Sequence, residues 1–188
     1  MSNRLALLER ALHLFADRGY DAVGVQEVCA ATGVAKPTLY HYFGSKRGLL
    51  EALVRERYEP FVDRFAEAAE YAGDLPRTLE RVVDAWFRFA ADEPALSRLV
   101  LSLWLASPGS VAAQVIASAN PAQGMRLEEA FTRSASDHAN MEGRAAAYAM
   151  TLLGTILTYV GLAMRGEVEL DARLVHQAVH QFSHGIYS

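Results

Sequence analysis

Gly33-Val34-Ala35-Lys36-Pro37-Thr38-Leu39-Tyr40-His41-Tyr42-Phe43-Gly44-Ser45-Lys46 decides how this chain is read. One glycine turn leads into a helix start, and a second, followed by serine, ends it. Between them stand lysine, threonine, histidine and two tyrosines, with no acidic residue, in a chain of formal net charge −4. Side chains that donate to phosphates and base edges are gathered on one small element. The stretch therefore points to DNA in spite of the acidic whole.

Upstream, Leu5, Leu8, Leu12 and Phe15 recur at helical spacing, joined by Ala11 and Ala16, and predict a helix over 3–18 that stops at Gly19. A second helix is expected over 25–32, with Val25, Val28 and Cys29 on one face and Gly24 as a weak cap. Thr32 to Ala35 make a tight turn, and Lys36-Pro37 opens a third helix, where proline suits the first turn. Three short helices with a glycine turn before the third form a helix-turn-helix signature, whose last helix lies in the major groove. At about 100° per residue, Leu39 and Phe43 share the inward face. Pro37, Thr38 and His41 fall opposite, toward base edges. Tyr40 and Tyr42 flank the buried stripe and reach phosphates, and Lys46 with the amides of its helix start grips another. The plain alternatives are core packing for the tyrosines and a solvated surface for His41 and Lys46.

The run Val34 to Lys46 followed by Leu49-Leu50 resembles the recognition segment of the TetR (tetracycline-repressor-like) family of transcription regulators. Ala11, Phe15, Gly19 and Tyr20 resemble the end of that family's first helix. The resemblance covers residues 5–50; beyond them the chain is similar only in helical character and length. It implies that Lys36, Pro37, Thr38 and His41 read bases, that Tyr40, Tyr42 and Lys46 contact the backbone, and that Val25 and Gln26 touch a phosphate. The family often carries Ser or Thr near Gly24-Val25, and this chain lacks that hydroxyl. The resemblance further implies a homodimer that binds a palindromic operator, most simply as a repressor released by a small-molecule effector.

Charge distribution agrees with a separate head. Residues 1–48 hold six basic and four acidic residues, a balance of +2, and the remaining 12 basic and 18 acidic residues leave −6 for the body. The expected division is a helix-turn-helix domain over 1–47 and a helical effector-binding and dimerisation domain over 48–188. One cysteine, Cys29, excludes an intramolecular disulfide framework. Arg4, Glu9, Arg10 and Asp17 interrupt the N-terminal apolar pattern, unlike a signal peptide, so a cytoplasmic protein is expected.

The body reads as all-α, without strands or repeats. A long helix is expected over 46–72, kinked by Pro60, then helices over 75–92 and 96–105, an interrupted one over 109–136, and two over 140–165 and 171–186, the last with Leu174, Val175, Ala178, Val179, Phe182 and Ile186 on one stripe. Twenty uncharged residues, Ala145 to Met164, are long enough to cross a bilayer. They are rich in Ala, Gly and Thr, so a helix buried on most sides by protein is expected and no membrane partner. Ala146, Ala149, Gly154 and Gly161 permit close helix approach. With Val175, Val179 and Phe182 on the final helix, they are the expected dimer face of a four-helix interface. Trp86, Phe89, Leu103, Trp104, Met125, Phe131 and Tyr148 are the candidate lining of a pocket for a hydrophobic or aromatic effector, set against plain core packing.

His176, His180 and His184 recur every four residues. That spacing suits a metal ion, but equally a wet surface or a dimer seam, and no metal or other cofactor is expected. No phosphate loop, nucleophile elbow or zinc-protease motif is present, so an enzyme is not expected. The alternative reading is a helical small-molecule-binding or adaptor protein that keeps this fold without specific operator binding.

Overall fold

The computed structural model describes residues 2–117, 119, 121–135 and 143–185. Ile186 lies outside them. Among the described residues the structure is helical, with no strand. The chain divides into two compact units, residues 1–60 with 93–120, and residues 61–92 with 121–188.

The first unit begins with α1 (Asn3–Arg18), α2 (Val25–Thr32), α3 (Lys36–Phe43) and α4 (Lys46–Leu53). Each start has a local chemical cause. Ser2 Oγ accepts from the Leu5 amide at 3.3 Å, and Ser45 Oγ accepts from Gly48 at 2.9 Å. Gly24 has no side chain to offer α2. The Glu27 carboxylate accepts the Gly24 amide instead, at 2.9 Å, supplying half of a capping box. Gly33 closes α2 at φ 69°, in the left-handed region that glycine enters without Cβ strain. Leu7, Leu12, Phe15, Val23, Val28, Leu39 and Leu49 are buried and tie α1 to α4 into one core.

The expected long helix over 46–72 is helical from Lys46 to Ala68, but it changes form inside that stretch. A π-turn, Val54–Tyr58, separates α4 from α5 (Glu59–Ala68), and the Glu59 amide donates to the carbonyl of Val54, five residues back. Pro60 explains it: proline has no N–H for the carbonyl of Glu56, and its ring crowds that carbonyl. The π-turn is held by charge. Arg4 pairs with Glu56, and Arg57 bridges Glu9 at 2.8 Å and Glu93 at 3.0 Å. α7 (Pro94–Trp104) packs on α1, and α8 (Val111–Ile116) on α7 and α4. Residues 48–60 and 93–120 thus pack with the head, so the division by packing does not follow the functional boundary expected at 47.

The second unit contains α5 from Phe61, then α6 (Leu75–Asp92), α9 (Pro121–Ser134), α10 (Ala145–Met164) and α11 (Ala172–His184). Rings fill it. Phe61 stacks on Phe89 with centroids 4.1 Å apart and meets Trp86 edge-on at 4.8 Å. Trp86 Nε1 donates to buried Gln123 Oε1 at 3.1 Å, which satisfies the indole. Phe131, Tyr148 and Phe182 form a second ring cluster, with centroids 5.7 to 6.3 Å apart.

α10 corrects an expectation. Its 20 residues have mean hydropathy 1.5, long and apolar enough to cross a membrane by length and composition, yet only 22% of that window is buried. α9 and α6 cover one side, where Ala149, Leu152, Ile156 and Val160 point. Ala146, Met150 and Gly154 are exposed and Leu153, Leu157 and Gly161 half-buried, so an apolar stripe stays open in the single chain.

Candidate nucleic-acid interface

The inward face of α3 is Leu39 and Phe43, 0% and 8% exposed. Its other side chains turn outward: Lys36, Pro37, Tyr40, His41 and Tyr42 are exposed and Thr38 is half-buried. Two large rings stand open on this face, Tyr40 at 47% and Tyr42 at 40%. On α2, Gln26 is exposed and Val25 half-buried. Lys36 Nζ donates to Gln26 Oε1 at 3.2 Å, so the entry of α3 and the start of α2 present one polar surface. His41 and Tyr42 rings lie 5.5 Å apart, and Tyr42 meets Phe43 edge-on.

Lys46 behaves differently from a free phosphate hook. Its ammonium lies 4.2 Å from the Tyr20 ring centroid and 3.4 Å from the Asp21 carbonyl oxygen. Burial lowers its pKa, against the pull of Asp21 and Glu27. Arg47, beside it, is exposed. It bonds Glu51 at 2.8 Å and Gln114 at 3.1 Å, and it is the basic side chain at this helix start that motif reading passed over. Its signal was simple: a second cation next to Lys46. Gly48 has a steric reason to be glycine, since a Cβ there would lie 2.0 Å from the Phe43 carbonyl oxygen. Cys29 is buried, and burial raises its pKa, which keeps the thiol protonated and unreactive.

The residues expected to line an effector pocket fall in both units. Leu103 and Trp104 belong to the first unit, and Trp104 is 47% exposed because it sits at the C-terminus of α7, past the face that packs on α1. Met125, on the outer face of α9, is 66% exposed. Trp86, Phe89 and Phe131 are buried in the second unit, with Tyr148 half-buried against Phe131. An open groove of about 300 Å³ in that unit is lined instead by Glu67, Glu70, Tyr71, Arg126, Glu129 and Arg133, among others, and by none of the seven.

The expected dimer face also needs correction. Ala149, Val175 and Val179 are covered within the chain, because α11 lays its apolar stripe on α6 and α10 turns Ala149 inward. Phe182 is half-buried in its ring cluster. Ala146, Gly154 and Gly161 remain on the open stripe of α10.

Three helices locked through a glycine turn, with the third one's polar face bare, define a helix-turn-helix DNA-binding head. Residues 7–53 match the family model of bacterial regulatory proteins, tetR family. Over this head the chain is similar to the TetR family of transcription regulators. It is 34% identical over 109 residues to the HTH-type transcriptional activator FasR of Mycolicibacterium smegmatis, 58% of this chain and 50% of that one. It is 32% identical over 80 residues to the HTH-type transcriptional repressor KstR2 of Rhodococcus jostii, 43% of this chain and 39% of that one. The chain thus spans half or less of the length of these curated relatives, which are transcription regulators and not enzymes. In fold it resembles the transcriptional regulator FadR from Bacillus subtilis, solved in complex with stearoyl-CoA, with TM-score 0.81 and 22% identity over 97% of this chain and 99% of that one. FadR from Bacillus halodurans, a fatty acid degradation regulator, gives TM-score 0.79 and 21% identity over 100% and 98%.

Proposed function

We propose that the protein is a cytoplasmic, dimeric, effector-responsive transcription regulator, most simply a repressor that binds a palindromic DNA operator. The observation that carries this reading is the bare face of α3, where Lys36, Pro37, Tyr40, His41 and Tyr42 are exposed around the buried Leu39 and Phe43. Thr38, His41, Lys36 and Pro37 read base edges. Tyr40 and Tyr42, with Gln26 and the amides at Val25, hold phosphates, Lys46 doing so once released from Tyr20. Residues 1–47 are the DNA-binding part and 48–188 the effector-binding and dimerising part.

The open stripe of α10 supports the dimer. A second copy would cover Ala146, Met150, Leu153, Gly154, Leu157 and Gly161, and the small residues let two helices approach closely. Two heads about 34–36 Å apart then meet successive major grooves. A small hydrophobic or aromatic effector fits the ring-filled interior of the second unit, where the Trp86–Gln123 bond offers a buried polar anchor. The effector displaces the operator only by binding the released state more tightly.

The test is selection of bound duplexes from a random pool with the full chain at moderate salt. A recovered palindrome with half-sites about 10 base pairs apart, or a multiple of that, supports the reading. Weak, salt-sensitive, sequence-blind binding favours instead an adaptor or small-molecule carrier that keeps the fold.

A further inference from the structure

Half of the six histidines fall within nine residues of the last helix, at His176, His180 and His184. All three are exposed and share one face of α11 with Arg173, Gln177 and Gln181, with no carboxylate of α11 among them. The rings form a ladder, with centroids 6.3 Å apart for His176 and His180 and 4.5 Å for His180 and His184. Two imidazoles bound side by side to one ion, with nitrogens about 2.0–2.1 Å from it, keep their centroids roughly 4.5–5 Å apart. The second pair already has that spacing. At the other end of the ladder, His176 Nδ1 lies 3.2 Å from Glu80 Oε1 on α6. A carboxylate on one ring nitrogen leaves the other, Nε2, to face outward as a ligand.

We propose that His180 and His184 form a two-imidazole clip for one borderline divalent transition-metal ion, with His176, steered by Glu80, as an alternative partner for His180. Among the described residues no set of three His, Cys, Asp or Glu converges on one point. The clip is therefore an open, exchangeable site whose other positions are filled by water or by a second copy of the chain. Imidazole ligands select Cu²⁺, Ni²⁺ and Zn²⁺ over Mg²⁺ and Ca²⁺, with Cu²⁺ the tightest.

The experiment is calorimetric titration of the full chain with Zn²⁺, Ni²⁺ and Cu²⁺, with Mg²⁺ as reference and no DNA present, so its outcome is independent of operator binding. One ion per chain is expected, with no Mg²⁺ binding. His180→Gln, which breaks both pairs, should weaken Zn²⁺ binding by about tenfold or more, and His184→Gln, which leaves the His176–His180 pair, should weaken it less. His13→Gln, on α1, should leave it unchanged. Zn²⁺ should also shift the ring-proton resonances of His180 and His184 and not those of His13. Unchanged affinity in His180→Gln, loss of binding in His13→Gln, or no binding below millimolar metal would overturn the proposal.

Discussion

In the head, each short helix is started or ended by an identifiable local group: Ser2 on α1, Glu27 on α2, Gly33 at the turn, Ser45 on α4. In the second unit, order comes from ring against ring, Phe61 with Trp86 and Phe89, and Phe131 with Tyr148 and Phe182. The head also fastens its helices with charge, through Arg4–Glu56 and the Arg57 bridge, while α10 carries no charged residue over 20 positions. Caps and ion pairs fix directions residue by residue, as a surface that must match DNA requires. Packed rings tolerate exchange of one apolar partner for another, as an effector or a second copy would demand.

The sharpest way to break this comparison is a charge on the open stripe of α10. A Cβ on Gly154 meets nothing within 4 Å inside the chain. Gly154→Arg should therefore leave the single chain folded but weaken self-association by about a hundredfold or more in sedimentation equilibrium, because an unpaired charge would be buried between copies. A dimer of unchanged strength would show that the stripe is not the interface. Next comes Gly48→Ala. Its methyl group would collide with the Phe43 carbonyl, so the head should lose about 2–3 kcal/mol and its unfolding midpoint should drop by roughly 10–20 °C. Differential scanning calorimetry reads this directly, with the second unit as internal reference. Trp86→Phe keeps the ring but abandons Gln123. It should cost about 1–3 kcal/mol, read by urea unfolding followed through probes in the second unit.

The smallest effect is acid sensitivity of the head. The Arg4 hydrogen bond holds the Glu56 carboxyl below its ordinary value, and the Gly24 amide, then Arg18, does the same for Glu27. Both contributions are fully present above the ordinary carboxylate value of about 4.3 and fade as pH falls through the lower folded values. Protection factors of the amides on α1 and α2, taken against the intrinsic exchange rate at each pH, should fall between about pH 5 and about pH 3, and Glu56→Gln should flatten that fall.

What was legible in the sequence followed the same division. α1, α2 and α3 were readable nearly to the residue, because glycine turns, Pro37 and the spacing of Leu8, Leu12 and Phe15 act within a few positions. The π-turn was not: Pro60 announced a disturbance, but whether the helix kinks or widens depends on what its neighbours hold in place. The covered side of α10 and the inward turn of Val175 and Val179 depend on α6, nearly a hundred residues upstream of α11, and no local pattern encodes that. Trp104 and Met125 looked like pocket residues because bulk and apolarity carry no direction. Lys46 looked like a phosphate hook because a motif does not show that Tyr20 lies within reach of its ammonium.

The π-turn has one more consequence, for how this chain tolerates change in length. A surface loop absorbs an inserted or deleted residue at little cost. A continuous helix does not, since each residue swings all that follows by about 100° and advances it by about 1.5 Å. Val54–Tyr58 holds one residue more than an ordinary α-helical turn would, accommodated as a wide turn ahead of Pro60. Removing Arg55 would therefore restore an ordinary helical count there with little swing of the turns on either side. Within Lys46–Ala68 the π-turn is where the count of residues can change by one, while elsewhere along the stretch the identity of a residue is easier to vary than its presence.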